Sequence, residues 1–469
     1  MTANAKTAGN ATATFKTQGT QFSGKLTVDC LTTDPWSNGV SLAVEIRDGA
    51  RVVGTLIPIV LEIKGVLRLG SSILIVNGTY DFGAAFLVVT YFGLVDGSSV
   101  VVTGLQFEYT TMPESVMQSS EPLVVTNGSR IEISQTCHSF SSLTRGSAWA
   151  WYVIKSVSSI TITNGTVALV GNSYTMSSVT SPVCDMGMMS ITTEPLTISD
   201  SGTLLIADNN IDLTSHTANS GAFSVKMLTQ TLATVLSSGS VVRVTNNKVK
   251  LLSVTATLIA TLVTVDTLAL NSDAATVDVR GNVYDVSTLS AAGIVVAFLR
   301  PTNYLTTNGT SVEVSDNAFI RNNVVVSSPI ESSVALVGGV STGGIYVHSK
   351  SRLRINRNSI TDGPQSSSAF DNVRFVVAGG MTQTDGGMIE IVRNSVVFST
   401  AIATLFSLTT DSAAISVCLN FLHHLPCRPM SAGLYSCAQS GATNVVFTAC
   451  TTTATHTIQK TLSIDPSAP

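Results

Sequence analysis

The chain has 469 residues, of which 44% are hydrophobic and only 12% are charged, and its formal net charge is −4. This weak acidic balance argues against nucleic acid as a partner, because a nucleic-acid-binding surface needs clustered Lys and Arg. An ordinary globular domain has about 25% charged residues, so the surface is expected to be covered by Ser, Thr, Asn and Gly, as is common in extracellular β proteins.

The first 65 residues lack the repeat that organises the rest of the chain and contain strand-like runs and an isolated Cys30. The end of a repeat array exposes unpaired strand edges, so residues 1–65 are predicted to form an N-terminal β cap. The N-terminus is polar and has no signal-peptide core, and no run of 18 apolar residues predicts a membrane span. We therefore expect either a fragment of a longer secreted polypeptide or a chain not secreted by the usual route.

One motif recurs from residue 166 to residue 422: apolar, any residue, apolar, two loose positions, Asn, any residue, apolar. Val312, Val314, Asn317 and Phe319 show it most plainly. Earlier turns centred on Ile73/Ile75 and Val100/Val102 lack the Asn, and a third carries Thr136 in its place. The Asn recurs at intervals of 37, 38, 35, 35, 41, 36 and 26 residues, at Asn172, Asn209, Asn247, Asn282, Asn317, Asn358, Asn394 and Asn420.

A repeat of this length predicts a stacked array. The two apolar residues form the inward face of a short strand, and the Asn lies at a corner, where it tolerates left-handed backbone geometry. Stacked at about 4.8 Å, the Asn amides would form a ladder of hydrogen bonds. We therefore predict an all-β fold, a right-handed parallel β-helix of about 36-residue coils over residues 66–424. The alternative is a β-propeller, whose blades have about 40–45 residues.

Residues 425–469 are predicted to form a Cys-containing C-terminal cap and tail. Four of the seven cysteines fall near or within this segment, and disulfides between them would suit an oxidising compartment. Zinc bound with His423 and His424, or free buried thiols, are the alternatives, but no Cys-x-x-Cys pair is present. We expect no metal and no cofactor. The disulfide candidates are Cys418, Cys427, Cys437 and Cys450.

The repeats, with their Gly-(Ser/Thr)-Val-x-Val-x-x-Asn-x-Val pattern and Asn-Gly-Thr triplets, resemble the dispersed gene family surface proteins of trypanosomes and related kinetoplastids. The resemblance covers roughly residues 65–425 and is one of repeat style. It implies a role in surface adhesion. Members of that family are very long and are anchored in a membrane near the C-terminus, whereas this chain shows no anchor. Bacterial adhesin passengers share the same repeat physics.

Parallel β-helices also include polysaccharide enzymes, which need paired carboxylates or carboxylates that hold calcium. Asp278 and Glu313 occupy equivalent outward positions and would lie about 5 Å apart on adjacent coils, which would suit a retaining carboxylate pair. The interpretation we favour is an exposed charged ladder, in which Arg243 and Arg354 flank and neutralise the two acids and neither acid titrates far from its usual value.

Two further sets of residues favour a location at the cell surface. Lys350, Arg352 and Arg354 alternate along one strand approach with Arg357 nearby, and they are weak candidates for binding sulfated or sialylated glycans; such a run is more often a solvated face. The glycosylation pattern Asn-x-Ser/Thr occurs in five places, although Asn-Gly is also a favoured turn dipeptide. These candidate glycosylation sites are Asn10, Asn77, Asn127, Asn164 and Asn308.

The sequence therefore predicts a non-catalytic extracellular or cell-surface protein with an adhesive role, whose partners are host or matrix glycans or surface proteins. A polysaccharide lyase or hydrolase of the pectin-lyase-like class is the alternative function, so catalysis is left open. The sequence does not name the ligand.

Overall fold

A computed structural model describes residues 59–327, 333–338, 344–362 and 373–397, together with short strands before and after them. The short strands cover 2–3, 11–16, 26–30, 42–52, 406–412, 414–418, 420–422, 427–429, 435–437, 439–441, 446–448 and 462–463. Within these ranges the secondary structure consists of strands and turns, without any helix. The fold is a parallel β-helix, consistent with the predicted right-handed coil.

Each turn of the β-helix begins with the strand that carries the sequence motif, which we call the motif strand. Successive motif strands pair in parallel, residue for residue, so that Val277 lies opposite Val312 and Val312 opposite Leu353. Parallel pairing between turns excludes the alternative β-propeller, whose blades are antiparallel sheets. The motif strands are Ala11–Lys16, Leu42–Val52, Ser72–Tyr80, Ser99–Tyr109, Arg130–Ser134, Thr166–Val170, Thr203–Ala207, Val241–Thr245, Thr276–Arg280, Ser311–Ser315, Arg352–Asn356, Met388–Val392, Ala414–Cys418 and Val446–Thr448.

After the Asn corner, a second strand continues the turn in a new direction. These second strands are Cys137–Ser141, Ser173–Ser177, Asn210–Leu213, Lys248–Leu251, Val283–Ala291, Ala318–Val326, Ser359–Asp362, Ser395–Val397, Asn420–Leu422 and Leu462–Ser463. In three turns a short third strand follows, Val179–Ser181, His216–Ala218 or Val254–Ala256.

A return sheet closes each turn on the other side of the core. Its strands are Thr2–Ala3, Leu26–Asp29, Ile59–Leu67, Ala85–Leu94, Ser115–Ser119, Leu123–Thr126, Trp149–Ser156, Ile160–Thr163, Cys184–Ile191, Leu196–Ser199, Phe223–Leu236, Ile259–Asp273, Gly293–Thr307, Ser333–Gly338, Gly344–Val347, Val373–Gln383, Phe406–Ser412 and Gln439–Gly441. One antiparallel pair, Cys427–Pro429 with Tyr435–Cys437, stands apart from the coil.

The motif explains the core, because alternate residues of a strand point to opposite faces. Both apolar residues of the motif strand are buried in each turn that begins between Ile131 and Ile389, and the apolar residue after the Asn is buried from Tyr174 to Ile360. The residue between the two apolar positions points outward. The predicted turns without Asn are also present, since Ile73 lies opposite Val100 and Val100 opposite Ile131.

A tight turn joins the return sheet to each motif strand. In eight of these turns both central residues have positive φ, and the following residue donates its N–H to the carbonyl three positions back, which defines a type I′ turn. Asn308 (φ 52°) and Gly309 (φ 77°) are one example. Asn and Gly tolerate this geometry best, which is why Asn-Gly pairs recur here.

The predicted Asn residues from Asn172 to Asn394 form an unbroken buried ladder. From Asn172 to Asn358, the Nδ2 of each Asn donates to the Oδ1 of the Asn one turn on at 2.8–2.9 Å, and its backbone N–H donates to the same oxygen at 2.9–3.1 Å. The other Nδ2 hydrogen binds a backbone carbonyl of the preceding turn at 2.7–3.0 Å. Asn420 starts the strand Asn420–Leu422, and its side chain lies outside the described residues.

The left-handed corner residue is the one before each Asn, and the expectation that the Asn itself takes this geometry was wrong. Asp316 (φ 55°) precedes Asn317, and Arg357 (φ 53°) precedes Asn358. The full column is Asn77, Gly104, Gln135, Gly171, Asp208, Asn246, Gly281, Asp316, Arg357 and Arg393. The Asn is required at its position because its amide binds backbone groups that the corner leaves without a strand partner.

Thr136 ends the ladder on its N-terminal side. Its hydroxyl donates to Oδ1 of Asn172 at 2.6 Å, and its backbone N–H donates to the same atom at 3.1 Å. Because the single hydroxyl proton is used there, Nε2 of His138 donates to Thr136, and Nδ1 of His138 accepts from the hydroxyl of Tyr109, each at 2.8 Å. The hydrogen-bonded chain therefore continues into the aromatic interior of the earlier turns.

Described strands of the predicted N-terminal cap run parallel to the coil. Ala11–Lys16 pairs with Leu42–Val52, and Leu42–Val52 pairs with Ser72–Tyr80 in the motif ladder. At the other end, Val446–Thr448 pairs with Ala414–Cys418 in the same ladder. The boundaries at residues 65 and 425 remain predictions.

Candidate functional site

The outward positions of the motif strands form one continuous column along the β-helix. Pairing places Asp278 between Arg243 and Glu313, and Glu313 between Asp278 and Arg354. The two acids therefore lie side by side on adjacent turns, as the sequence analysis predicted. The column reads Glu132, Ala168, Leu205, Arg243, Asp278, Glu313, Arg354 and Glu390.

Arg280 bridges this pair of acids. Its Nε lies 3.3 Å from Oδ1 of Asp278, and its Nη2 lies 3.4 Å from Oε2 of Glu313. Arg280 is two residues beyond Asp278 on the same strand and therefore points to the same face. The expectation that Arg243 and Arg354 would neutralise the acids was incomplete, because it considered only the middle outward residue of each strand. Arg354 contacts Glu390 instead, with Nε 3.7 Å from Oε2.

The two acids are only partly exposed, with 16% of the Asp278 side chain and 25% of the Glu313 side chain accessible. Burial raises the pKa of Asp278 above its usual value; Arg280 and Arg243 oppose that rise, and Glu313 adds to it. The expectation that neither acid titrates far from its usual value remains a prediction.

A surface depression of about 410 Å³ lies elsewhere, between the corner loops of two earlier turns. Thr110, Thr111, Met112, Ser142, Leu143, Thr144 and Arg145 line it. Arg145 is held across it, with Nη1 donating to the Met112 carbonyl at 3.3 Å. Neither Asp278 nor Glu313 lies in this lining, so the depression does not form a cleft around the candidate carboxylate pair.

The four basic residues of the proposed glycan-binding run do not form one free cluster. Nε of Arg352 donates to Oε2 of Glu390 at 2.9 Å, and Arg354 contacts the same oxygen. Arg357 forms a two-pronged pair with Asp316, at 2.6 and 2.7 Å. This pairing lowers the pKa of Asp316 and raises that of Arg357. Lys350 is exposed in the type I′ turn before the motif strand.

The candidate glycosylation residues that are described all lie on the outside. Asn127, Asn164 and Asn308 occupy the same turn position on different turns, while Asn77 (φ 53°) occupies the left-handed corner column. The turn itself explains why Thr follows Asn-Gly at Asn308, because Thr310 is buried and its hydroxyl donates to the Thr307 carbonyl at 2.8 Å. Glycosylation remains a prediction, and Asn10 lies outside the described residues.

Among the disulfide candidates, pairing brings two positions together. Cys427 lies directly opposite Cys437 in the antiparallel pair near the C-terminus. Cys418 lies in the strand Ala414–Cys418. The side chains of Cys418, Cys427 and Cys437 lie outside the described part of the chain, and Cys450 lies wholly outside it. Cys30, Cys137 and Cys184 are free thiols, and Cys184 is buried. The disulfides remain predictions.

Within the described residues, His, Cys, Asp and Glu side chains do not gather in groups of three that could bind a metal ion. In the same part of the chain, no helix has the length and apolar character needed to cross a lipid bilayer.

The fold and its surface define a parallel β-helix with a buried Asn ladder and an outward column of paired charges. No protein-family model, curated protein or solved structure matches the chain. Arg280 and the continuation of the ladder from Thr136 through His138 to Tyr109 were missed by the sequence analysis. The alternation of the strand contained the signal for Arg280, since residues 278 and 280 share a face.

Proposed function

We propose that the protein is a non-catalytic binding protein of the cell surface or the extracellular space, with an adhesive role toward glycans or surface proteins. The observation that carries this proposal is the contact of Arg280 with both Asp278 and Glu313. A catalytic acid and nucleophile must be free to reach a substrate, whereas these two carboxylates share one guanidinium on the outer face of the strand.

Three further features support the proposal. Only 12% of the residues in the chain are charged, and its motif strands repeat regularly over many turns, which suits an extended binding surface. The Asn residues of four candidate glycosylation sites are exposed on that surface. The repeat style resembles the kinetoplastid dispersed gene family surface proteins, and we carry membership of that group forward as a proposal, together with the adhesive role that it implies.

Two assays on the same preparation test this function. The protein is incubated with a panel of pectins and glycosaminoglycans, and the products are separated by size; we expect the chain lengths to remain unchanged. In parallel, labelled protein is applied to a glycan array and to intact cells, where we expect saturable binding. Cleavage of any polysaccharide, or the absence of binding in both formats, would overturn the proposal.

One observation favours the alternative, a polysaccharide lyase or hydrolase. The pKa of Asp278 is raised by burial and, to a lesser degree, by the adjacent Glu313, which is the behaviour expected of a general acid beside an ionised partner. If cleavage is found, Asp278→Asn and Glu313→Gln should each abolish it, because both carboxyl groups would be needed. Cleavage that survives both substitutions would place any catalytic site elsewhere.

A further inference from the structure

The return sheet presents an aromatic surface to solvent near the C-terminal end of the described coil. Tyr346, in the strand Gly344–Val347, is 41% exposed and lies directly opposite Leu305, which is 40% exposed, on the preceding turn. The ring of His348 lies nearly parallel to that of Tyr346, with 18° between the planes and 6.1 Å between the centroids. We call Leu305, Tyr346 and His348 the Tyr346 platform.

Gly344 holds the ring of Tyr346 against the strand. A Cβ at Gly344 would lie 2.6 Å from Cε2 and Cζ of Tyr346 and 2.7 Å from its hydroxyl oxygen. Only a residue without a Cβ therefore permits the ring to lie across this backbone. The ring is fixed with one side against the protein, and its exposed area faces solvent, so a ligand would not have to order it on binding.

Hydrogen-bond acceptors lie beside the platform. Nδ1 of His348 binds the hydroxyl of Thr384, and that hydroxyl donates to Oδ2 of Asp385 at 3.3 Å. With Nδ1 engaged by Thr384, Nε2 is the nitrogen of His348 that can hydrogen-bond a ligand, as donor or acceptor according to the tautomer. Two turns back along the return sheet, the Asp273 carboxylate is already engaged by Thr307 of the intervening turn at 2.9 Å.

We propose that the Tyr346 platform binds the flat C–H face of an uncharged pyranose ring whose hydroxyls are equatorial. The face of an aromatic ring is electron-rich and attracts polarised C–H groups. Nε2 of His348 and the Asp385 carboxylate are placed to hydrogen-bond sugar hydroxyls, and the carboxylate repels sulfate and sialate groups. The inference rests on the proposed binding function and assigns it a neutral glycan and a site, distinct from Arg352 and Arg354.

Cellohexaose and hexa-N-acetylchitohexaose serve as neutral probes, and a heparin hexasaccharide as the sulfated one, with affinities measured by calorimetry or saturation-transfer NMR. We expect the full chain to bind at least one neutral probe. Tyr346→Ala should weaken that binding at least about tenfold, whereas Tyr346→Phe, which keeps the ring, should remain within about threefold. Gly344→Ala keeps Tyr346 but displaces its ring, so it should also weaken binding.

Tyr91→Ala is the matched control, because Tyr91 is an exposed tyrosine (59%) on an earlier strand of the return sheet. It should bind like the parent, and the unfolding midpoint of each variant shows that the fold is retained. Neutral-probe binding unaffected by Tyr346→Ala and Gly344→Ala would overturn the platform and leave the proposed function standing. Binding of heparin alone would do the same. Failure to bind any probe, glycan array or cell would overturn both proposals.

Discussion

The turns between Ser72 and Ser177 and the turns between Thr203 and Val392 fill the same interior in different ways. In the earlier turns the interior contains stacked rings, including Phe107, His138 and Tyr174, with centroid separations of 4.5–4.6 Å between neighbours. The later turns are mainly aliphatic inside and are joined by the Asn ladder. One region is stabilised chiefly by ring packing, the other by a polar chain within an apolar core.

Backbone pairing explains why the ladder begins only at Thr136 and Asn172 and is absent from the two turns before them. In the early turns, Ser72–Tyr80 and Ser99–Tyr109 run through the corner as single strands, so the backbone groups find partners on adjacent turns. In the later turns the strand is interrupted at the corner, and the Asn amide binds the carbonyl and the N–H that would otherwise be unpaired. Buried backbone groups must be satisfied, so losing the strand pairing makes the Asn necessary.

The largest expected effect compares two phenylalanines that occupy the same interior column. Phe107→Ala should cost about 4–5 kcal/mol of unfolding free energy, because it creates a cavity and removes contacts with five surrounding rings. Those rings are Tyr80, Phe82, Phe86, Tyr109 and His138. Phe319→Ala creates a similar cavity in the ladder region, where no ring contact of Phe319 is found among the described residues, and should cost about 3 kcal/mol.

Denaturant unfolding of the two variants measures the difference. An equal or larger loss for Phe319→Ala would show that ring contacts do not distinguish the two regions.

The next effect concerns the ladder itself. Asn282→Ala removes the acceptor for two donors of Asn247 and the donors to the Val244 carbonyl and to Asn317. Leaving these buried groups unpaired should cost about 3 kcal/mol, read as a shift of the denaturation midpoint. The exposed Asn303→Ala is the control and should change stability by less than about 0.5 kcal/mol. An unchanged midpoint for Asn282→Ala would mean that the amide chain contributes no stability.

Two buried histidines, one in each region, provide the third test. His138 is hydrogen-bonded at both ring nitrogens, whereas both nitrogens of His216 are buried without a partner. His216→Leu should therefore raise stability by about 1 kcal/mol at pH 7, while His138→Leu should lower it. Stability loss in both variants would contradict this distinction.

Burial lowers the pKa of His216 to about 4 and that of His138 well below its usual value. A buried neutral His takes up a proton more readily in the unfolded chain, so its stabilising contribution is complete above pH 6.5 and is lost as the pH falls toward the folded pKa. The gain from His216→Leu should consequently grow between pH 6.5 and about 4. Unfolding midpoints measured across this window, with the parent protein as reference, check the trend.

The sequence was most informative where a residue type has one physical role at a fixed spacing. Val312 and Val314 alternate with an outward residue, and Asn317 returns at a nearly constant interval, so the coil and the column of Asp278 and Glu313 could be predicted. Arg280 was missed because ion pairs depend on side-chain reach as well as on register. The platform at Tyr346 could not be predicted, since it depends on a glycine two residues earlier and on Leu305, which is 41 residues away in the chain.

The smallest expected effect lies on the outside of the ladder turns and separates structure from catalysis. Arg280 contacts both acids, and its charge is the largest influence that lowers the pKa of Asp278. Arg280→Gln should therefore raise that pKa further, while stability at pH 7 changes by less than about 1 kcal/mol, as is usual for partly exposed pairs.

Because the folded pKa of Asp278 already exceeds its unfolded value, this carboxyl favours folding at low pH, and that contribution is lost as the pH rises through the folded pKa. Arg280→Gln should move the pH at which this stabilising contribution of Asp278 is lost to a higher value. Carbon-detected NMR titration of the Asp278 carboxyl measures the shift, and Arg357→Gln, which should instead raise the lowered pKa of Asp316, is the matched control. A parent Asp278 that titrates near pH 6 with Arg280 in place, together with cleavage of a polysaccharide, would show that the arginine does not neutralise the pair and would turn this charged column into an active site.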